Sequence, residues 1–462
     1  MRFLFLLPLL ALMACAPAPS RHNQADRRAP LQTGPLPQMK QFGPPHVQPP
    51  TRSNHEIARD FLDLSFQMES GRSLPVLTRF DGPISLRVTG TPPASLSRDL
   101  STLLVRLRDE AQIDITRVSA STAANITIEM IPRRQLQRLA PQAACFVVPR
   151  VSSWAEYRRF RRSDAVRWTT LQKREKLAIF IPGDVSPQEV RDCLNEELAQ
   201  ALGPLNDLYR LPDSVFNDDN FHTILTGFDM LILRAYYAPE MQNGTTRSHA
   251  AIILPALLAR LNPAGQNIPP APWAGPTPRV WINAVETALG RKASQTARRS
   301  AATRAVAIAR NSGWNDTRMG FSLYILGRLS LTTKPDTALN AFLNSANLYH
   351  GIRETRVQEA HLAMQLAAFA LTTGDADTAV ALVNANLPAM LESQNAALLS
   401  MMLMIKAEAL ELQDHPSEAR EVRLDSLGWA RYGFGSDKVV RIRMAEISAL
   451  APLRNPNSMR NL

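Results

Sequence analysis

Two proline-rich stretches constrain the fold of this 462-residue chain most strongly, because neither can form part of a packed core. Residues 15–52 contain the run APLQTGPLPQMKQFGPPHVQPP, which is rich in Pro and Gln and has no apolar periodicity. A second break, LNPAGQNIPPAPWAGPTP, covers 261–278. We therefore expect an extended, mobile tether, a folded region over 53–260, a linker over 261–278, a second folded region over 279–450 and a tail over 451–462.

The first residues, MRFLFLLPLLALMAC, are typical of a bacterial secretory signal. Arg2 precedes an apolar run that is too short to remain as a membrane-spanning helix. The end of this run, LMAC, resembles a lipobox, which predicts that residues 1–14 are removed and that Cys15 carries lipid. The alternative is an ordinary signal peptide cleaved near Ala18. We expect a lipid-anchored protein of the cell envelope on the periplasmic face, and Ala16 after the cysteine favours the outer membrane over the inner.

The cysteine count predicts a single disulfide. If Cys15 carries lipid, only Cys145 and Cys193 remain, and an even pair in an oxidising compartment most simply forms a bond. The alternative is two buried free thiols.

The net charge of +11 predicts anionic partners. Outside the cytoplasm these would be lipid headgroups or anionic envelope polymers rather than nucleic acid, for which the sequence has no known motif. The densest basic stretch, YRRFRR at 157–162, has the composition of an anion-binding surface, although a solvated loop or edge strand explains it as well.

The first folded region mixes helical and strand patterns. A helix capped by Asn54 is followed by alternating or apolar strand patterns and by two further helical segments. The strands are expected at 83–88, 113–115, 126–130, 145–149 and 177–182, and the helices at 95–111 and 187–202. This order predicts an α+β domain with a mixed sheet and with helices over one face.

The second folded region is rich in Ala and Leu and shows a loose repeat. Ala338, Ala379 and Ala419 recur at intervals of about 40 residues, each near the start of the second helix of an expected pair. This pattern resembles tetratricopeptide repeats and predicts an all-α helical-repeat domain that binds a protein partner. The alternative is a helical bundle without repeats.

The sequence CLNEELAQALGPLND at 193–207 is the most informative stretch for chemistry. On a helix, Glu197 falls within an apolar arc, and Glu196 and Gln200 lie together at the edge of that arc. A carboxylate on an apolar face is costly unless it is paired or protonated, so Glu197 is either a structural partner or a functional residue with a raised pKa.

This helix resembles the zinc-binding helix of metzincin proteases, H-E-x-x-H-x-x-G-x-x-H. The frame here is E-E-x-x-Q-x-x-G-x-x-N-D, in which Glu197 and Gly203 match. The three ligand positions hold Glu196, Gln200 and Asn206 instead of histidine, and a neutral amide is a poor zinc ligand. The resemblance implies a zincin-like fold without a zinc site.

Residues 54–250 also resemble a family of uncharacterised bacterial envelope lipoproteins. The shared features are the degenerate zincin-like helix, the two flanking cysteines and a downstream Leu-x-x-x-Asp-x-x-x-Leu segment, here Leu225, Asp229 and Leu233. This resemblance implies no established activity.

Two functions remain open from the sequence. The first is a non-catalytic zincin-like domain joined to a protein-binding helical array, with no cofactor. The alternative is a peptidase-like hydrolase in which Glu197 acts as general base, with Glu196, Gln200 and Asn206 or Asp207 positioning water, substrate or a hard metal ion. Zinc is not expected, whereas carboxylate and amide oxygens suit calcium or magnesium better.

Overall fold

The computed structural model describes residues 34–46, 48–290 and 292–452. The predicted signal sequence and Cys15, the predicted site of lipid attachment, lie outside the described residues, as do residues 453–462. The chain divides into two compact units, one from His46 to Thr277 and one from Pro278 onward that also includes the segment up to Pro45. Within the part of the chain that is described, no helix has the length and apolar character needed to cross a membrane.

The first unit is built around a five-stranded mixed sheet, as predicted. Its strands are β1 (Ile84–Gly90), β2 (Ile115–Arg117), β3 (Ile126–Ile131), β4 (Phe146–Pro149) and β5 (Leu177–Pro182). The order is β2-β1-β3-β5-β4, and only β4 runs antiparallel to its neighbour. All six residues of β5 are buried, which is typical of an interior strand with both faces covered.

Seven α-helices accompany this sheet in the described residues of the first unit. They are α1 (Asn54–Ser65), α2 (Leu96–Asp109), α3 (Arg133–Leu139), α4 (Trp154–Phe160), α5 (Pro187–Leu202), α6 (Gly227–Tyr236) and α7 (Arg247–Leu261). The helices cover both faces of the sheet, not one. Ile179 of β5 belongs to the large core that includes residues of α1, α2 and α5, whereas its neighbour Phe180 packs with Trp154 and Tyr157 on the opposite face.

Two local expectations for this unit were wrong. The cap of α1 is Ser53, which forms a capping box with Glu56, and Asn54 instead donates to the backbone carbonyls of Leu258 and Asn262. The basic stretch 157–162 is not an edge strand. Its first four residues form the end of α4, where the ring of Tyr157 is buried, and Arg161 and Arg162 lie in the turn that follows.

The predicted disulfide is confirmed. The sulfur atoms of Cys145 and Cys193 are 2.06 Å apart, and the bond joins the start of β4 to α5 across a sequence separation of 48 residues. Closing a loop of this length stabilises a fold by about 4 kcal/mol in the chain-entropy model.

The second unit is all-helical in its described residues, as predicted. Its helices are α8 (Arg279–Leu289), α9 (Gln295–Asn311), α10 (Thr317–Ser330), α11 (Pro335–His350), α12 (Arg356–Thr373), α13 (Ala376–Glu392), α14 (Ala396–Leu412), α15 (Pro416–Phe434) and α16 (Asp437–Ser448). Ala338, Ala379 and Ala419 are fully buried near the starts of α11, α13 and α15. Gly327 allows close packing of α10 on α11, because a Cβ atom there would lie 2.5 Å from the ring of Phe342.

Residues 34–45, which we call the docked segment, lie against the helices of the second unit. Leu36 is buried in the same core cluster as α12 to α16, and Phe42 packs against it. The expectation of a mobile tether is therefore wrong for these residues. The two apolar side chains are too far apart to produce a periodic signal, yet each contacts the helices.

Candidate functional site

The helix α5 follows β5 after a short turn and has the bounds that the sequence predicts. The hydroxyl of Ser186 accepts a hydrogen bond from the backbone of Glu189, and Pro187 occupies the first turn, where its missing N–H costs nothing. Thirteen of the helix residues are buried, including Glu196, Glu197 and Gln200. The helix therefore crosses the interior of the unit rather than lying on its surface.

A buried arginine caps the far end of α5. The guanidinium of Arg174 donates to the carbonyl oxygens of Gln200 at 2.6 Å and Ala201 at 2.7 Å, and it also contacts the carbonyl of Gly203. A cation at this position satisfies carbonyls that have no partner within the helix and interacts favourably with the helix dipole. Gly203 is needed for close packing, since a Cβ atom there would be 3.0 Å from Leu233.

Five acidic side chains beside α5 interact electrostatically, and we call them the carboxyl cluster. Glu196 and Glu197 come from the helix, Asp207 and Asp218 from the loop between α5 and α6, and Glu69 from the turn after α1. For Glu69 and Glu196, the charged groups with the largest effects on the pKa are other carboxylates. The cluster is thus a concentration of like charge.

This environment favours the protonated form of the cluster. Burial, followed by the charge of Asp207, raises the pKa of Glu197 to about 8. The pKa values of Glu69, Glu196 and Asp207 are also well above their usual range, in each case first through burial and next through a neighbouring carboxylate. Several of these groups therefore retain a proton at neutral pH.

Glu69 and Asp207 are a coupled pair of carboxyl groups. After burial, the charge of Asp207 is the largest cause of the raised pKa of Glu69. Neither carboxyl oxygen of Asp207 makes a hydrogen bond of normal geometry. Two carboxyl groups that interact this strongly titrate as a unit, because both cannot be ionised without strong repulsion.

Glu197 is the most deeply buried member, with 1% of its surface exposed. The backbone N–H of Val147, on the edge strand β4, lowers the pKa of Glu197 slightly. Neither carboxyl oxygen, however, makes a hydrogen bond of normal geometry. A buried ionised carboxylate would need several donors, so this setting favours the neutral acid.

The residues at the three ligand positions of the metzincin motif have different surroundings. The side-chain amide of Asn206 donates to the carbonyl of Asp63 at 2.9 Å, which ties the chain after α5 to the end of α1. Glu196 belongs to the carboxyl cluster, and the side-chain nitrogen of Gln200 is buried without a partner. In the described residues, no three His, Cys, Asp or Glu side chains are arranged so that they could hold a metal ion.

The predicted site residues are thus only partly brought together. Glu196, Glu197 and Asp207 belong to the carboxyl cluster, whereas Asn206 points to the backbone of α1. Asp229, part of the downstream Leu-Asp-Leu segment, has a structural role. It accepts from the hydroxyl of Ser214 at 2.5 Å and from the backbone N–H of Val215 at 3.1 Å, and it completes the capping box of α6.

An ion-pair network holds the loop that supplies Asp207 and Asp218. Arg210 of this loop pairs with Asp60 at 2.6 Å and with Asp63 at 2.9 Å, both on α1. Arg52 bridges Asp60 and Asp213 from the other side, at 2.6 and 2.7 Å. Because these carboxylates are paired with arginine, they differ in kind from those of the carboxyl cluster.

Glu69 and Asp218 belong to the site but were missed by the sequence analysis. Glu69 is distant in sequence and follows α1 in a turn closed by the bridge between Gln67 and Ser73, so no spacing connects it with α5. Asp218 lies in the acidic run DSVFNDDN at 213–220. This composition indicates a loop, but nothing in it distinguishes Asp218 from the other acidic residues.

Residues 54–256 match a protein family described as "Protein of unknown function (DUF2927)". No curated protein matches the chain.

Proposed function

We propose that this chain is a lipid-anchored envelope protein with a binding role. In this proposal, the DUF2927 domain keeps a zincin-like frame without zinc chemistry, and the helical unit binds protein partners in the manner of tetratricopeptide repeats. The observation that carries the binding role is the docked segment, an extended stretch of chain held on the surface of the helical unit.

The arrangement of α5 supports a zincin-like frame that has lost zinc binding. The helix follows a strand of the sheet and ends at Gly203, as the protease motif requires. The side chain of Asn206 is engaged with the backbone of α1, and burial favours the protonated form of Glu196 and Asp207, which disfavours a bound cation. Zinc affinity at Glu196 and Gln200 would therefore need both deprotonation and a third ligand.

The helix pairs support a repeat-like array. In three successive pairs, α10 with α11, α12 with α13, and α14 with α15, a fully buried alanine lies near the start of the second helix. Small residues at helix crossings allow close approach, and stacking of such pairs produces extended surfaces suited to proteins.

Photocrosslinking in cells tests the binding role. A benzophenone amino acid replaces Leu391 of α13 or Leu424 of α15, which are 48% and 40% exposed, and the matched control is Val105 of α2 at 45%. We expect a protein adduct of the same mass from both helical positions and none from the control. Adducts from the control alone, or none at all, would contradict a binding role for the helical unit.

Lipid anchoring through Cys15 is part of the proposal and has its own test. Cells labelled with an alkyne palmitate should incorporate label into the wild type but not into Cys15→Ser. Label that persists in the variant would contradict lipid attachment at Cys15. If the label is lost, separation of inner and outer membranes tests whether the anchored protein lies in the outer membrane. The net charge of +11 supports contact with anionic envelope polymers as an additional interaction.

The raised pKa of Glu197 favours a second candidate, a peptidase-like hydrolase. A carboxyl group with a pKa of about 8 has the proton affinity of a general acid or base at neutral pH. Glu197→Gln should leave the cellular function unchanged under the binding proposal. Peptidase activity in purified wild type that disappears in this variant, with no loss of melting temperature, would instead establish the hydrolase.

A further inference from the structure

The helical unit makes hydrogen bonds to the main chain of the docked segment. The backbone N–H of Lys40 donates to the carbonyl of Gly428 at 3.0 Å. Three helical-unit side chains donate to carbonyl oxygens of the segment, at 2.7 to 2.9 Å. These are Arg441 to Gly34, Arg431 to Pro37 and Gln394 to Gly43. Because such bonds depend on no peptide side chain, any extended segment of suitable shape can form them.

Two side chains of the segment supply selectivity. Phe42 stacks on Trp429 with ring centroids 4.4 Å apart and meets the edge of Tyr432 at 6.5 Å. Lys40 pairs with Asp425 and lies over the ring of Trp429, 5.5 Å from its centroid. The surface of α15 therefore matches a lysine followed, two residues later, by an aromatic residue.

Gly428 is what allows the peptide to approach α15. A Cβ atom at this position would lie 3.0 Å from Cγ of Lys40 and 3.3 Å from the carbonyl oxygen of Gln38. Glycine within a helix is otherwise unfavourable, so its presence in the interior of a 19-residue helix accords with a surface that contacts peptide backbone.

The docked segment is held in a way that permits exchange. The side chains of Lys40 and Asp425 are 48% and 40% exposed, so their ion pair adds little affinity. Leu36 is the only large apolar side chain of the segment that is buried, since Phe42 is half-buried. A peptide of the same chemistry supplied by another protein can therefore compete for the surface.

We propose that the face formed by α15, α16 and Gln394 is a peptide-binding surface. Its partner is an extended protein segment with the pattern Leu-x-x-x-Lys-x-Phe, and the docked segment occupies the surface until such a partner displaces it. This inference rests on the proposed binding role of the helical unit and names the chemistry that the unit recognises.

A fluorescent peptide, GPLPQMKQFGPP, tests the surface by anisotropy with the purified full chain from residue 16 onward. In the wild type, the docked segment competes at the high effective concentration of a tethered ligand. In the double variant Lys40→Ala/Phe42→Ala, competition is weakened, and we expect the probe to bind at least about tenfold more tightly than to the wild type. A matched control, Leu343→Ala on α11, should bind as the wild type does.

A block of the surface distinguishes specific binding from adsorption. Adding Gly428→Leu to the double variant should abolish probe binding while leaving the helical circular dichroism signal intact. A second probe, with alanine in place of its lysine and phenylalanine, should bind at least about tenfold more weakly than the first.

Equal probe affinity for the wild type and the double variant, or binding that survives Gly428→Leu, would overturn the proposal. The crosslinking test separates it from the broader binding role. When the crosslinking is repeated in a cell lysate, adducts at Leu391 and Leu424 that excess peptide does not reduce would retain the binding role and exclude this surface. If the probe binds but no adduct forms, the surface can hold a peptide but has no protein partner in the cell, and both the proposed partner and the binding role would be contradicted.

Discussion

The two units solve the problem of burying polar groups in different ways. The first unit places charged side chains in its interior, some paired with arginine and others, such as Glu197, kept neutral by proton uptake. The helical unit fills the core cluster of α12 to α16 mainly with Ala, Leu and Met, and its buried Arg318 is paired with Asp316 at 2.6 Å. The comparison teaches that loops in the first unit depend on specific polar contacts, whereas the second depends on close helix packing. Stability should therefore respond to charge and pH in the first unit and to side-chain volume in the second.

The largest expected effect is the loss of the cap on α5. Arg174→Ala removes donors from three carbonyl oxygens at a buried helix end, each of which is then left unsatisfied. We expect the free energy of unfolding of the first unit to fall by about 4 kcal/mol. Urea unfolding followed by tryptophan fluorescence measures it. Arg167→Ala, at a side chain that is 57% exposed, is the control and should change stability by less than about 0.5 kcal/mol. If the free energy of unfolding fell by a similar amount in both variants, Arg174 would not stabilise the unit by capping α5.

In the helical unit, the corresponding test is a substitution that disturbs helix packing. Gly327→Ala puts a methyl group where a Cβ atom would lie 2.5 Å from the ring of Phe342, so α10 and α11 must separate. We expect a loss of about 2 kcal/mol that is the same at pH 5 and pH 8, since no titratable group is involved. Thermal unfolding at both pH values measures it. Gly313→Ala, in a turn with open space around it but with φ at +66°, separates backbone strain from overpacking. If the stability lost on Gly327→Ala depended on pH, the proposed difference between the two units would be contradicted.

A smaller, pH-dependent effect should distinguish the carboxyl cluster. Below a pH of about 4.5, Glu197 is protonated in both the folded and the unfolded chain. As the pH rises, the unfolded chain loses this proton first, while the folded chain retains it up to about pH 8. The unfolded state then binds fewer protons, so stability falls across this window. Asp192 and Asp229, whose pKa values burial raises to about 7 and about 6, add to the same trend.

Glu197→Gln should reduce that decline. We expect the melting temperature of the first unit to match the wild type near pH 5 and to exceed it by about 3 °C at pH 8, because glutamine cannot ionise. Differential scanning calorimetry across this range measures the difference. Glu175→Gln, at an exposed side chain, should follow the wild type at every pH. A variant that is less stable than the wild type at pH 8 would show that Glu197 is ionised and paired.

The regular elements were predictable because burial imposes a period on the sequence. The apolar run of β5 and the capped pattern of α5 gave the observed bounds, 177–182 and 187–202. The helix pairs of the second unit followed from alanines at matching positions. In each case, the signal lies within one element and needs no knowledge of its neighbours.

The candidate site was predictable only where it lies on one helix. Glu196 and Glu197 followed from the wheel of α5, but the direction of Asn206 depends on how the loop returns to α1. Glu69 entered the cluster through tertiary folding alone. The docked segment was missed for a related reason, since its contacts with α15 come from two separated side chains and from its backbone.

The most direct test of the central claim, that the protease-like helix holds protons and not zinc, is a zinc titration of metal-free protein. Isothermal titration calorimetry at pH 7 with the purified chain should detect no stoichiometric site for Zn²⁺ at micromolar concentration. Binding of one Zn²⁺ per chain that is lost in Glu196→Gln, with the fold intact by circular dichroism, would contradict it.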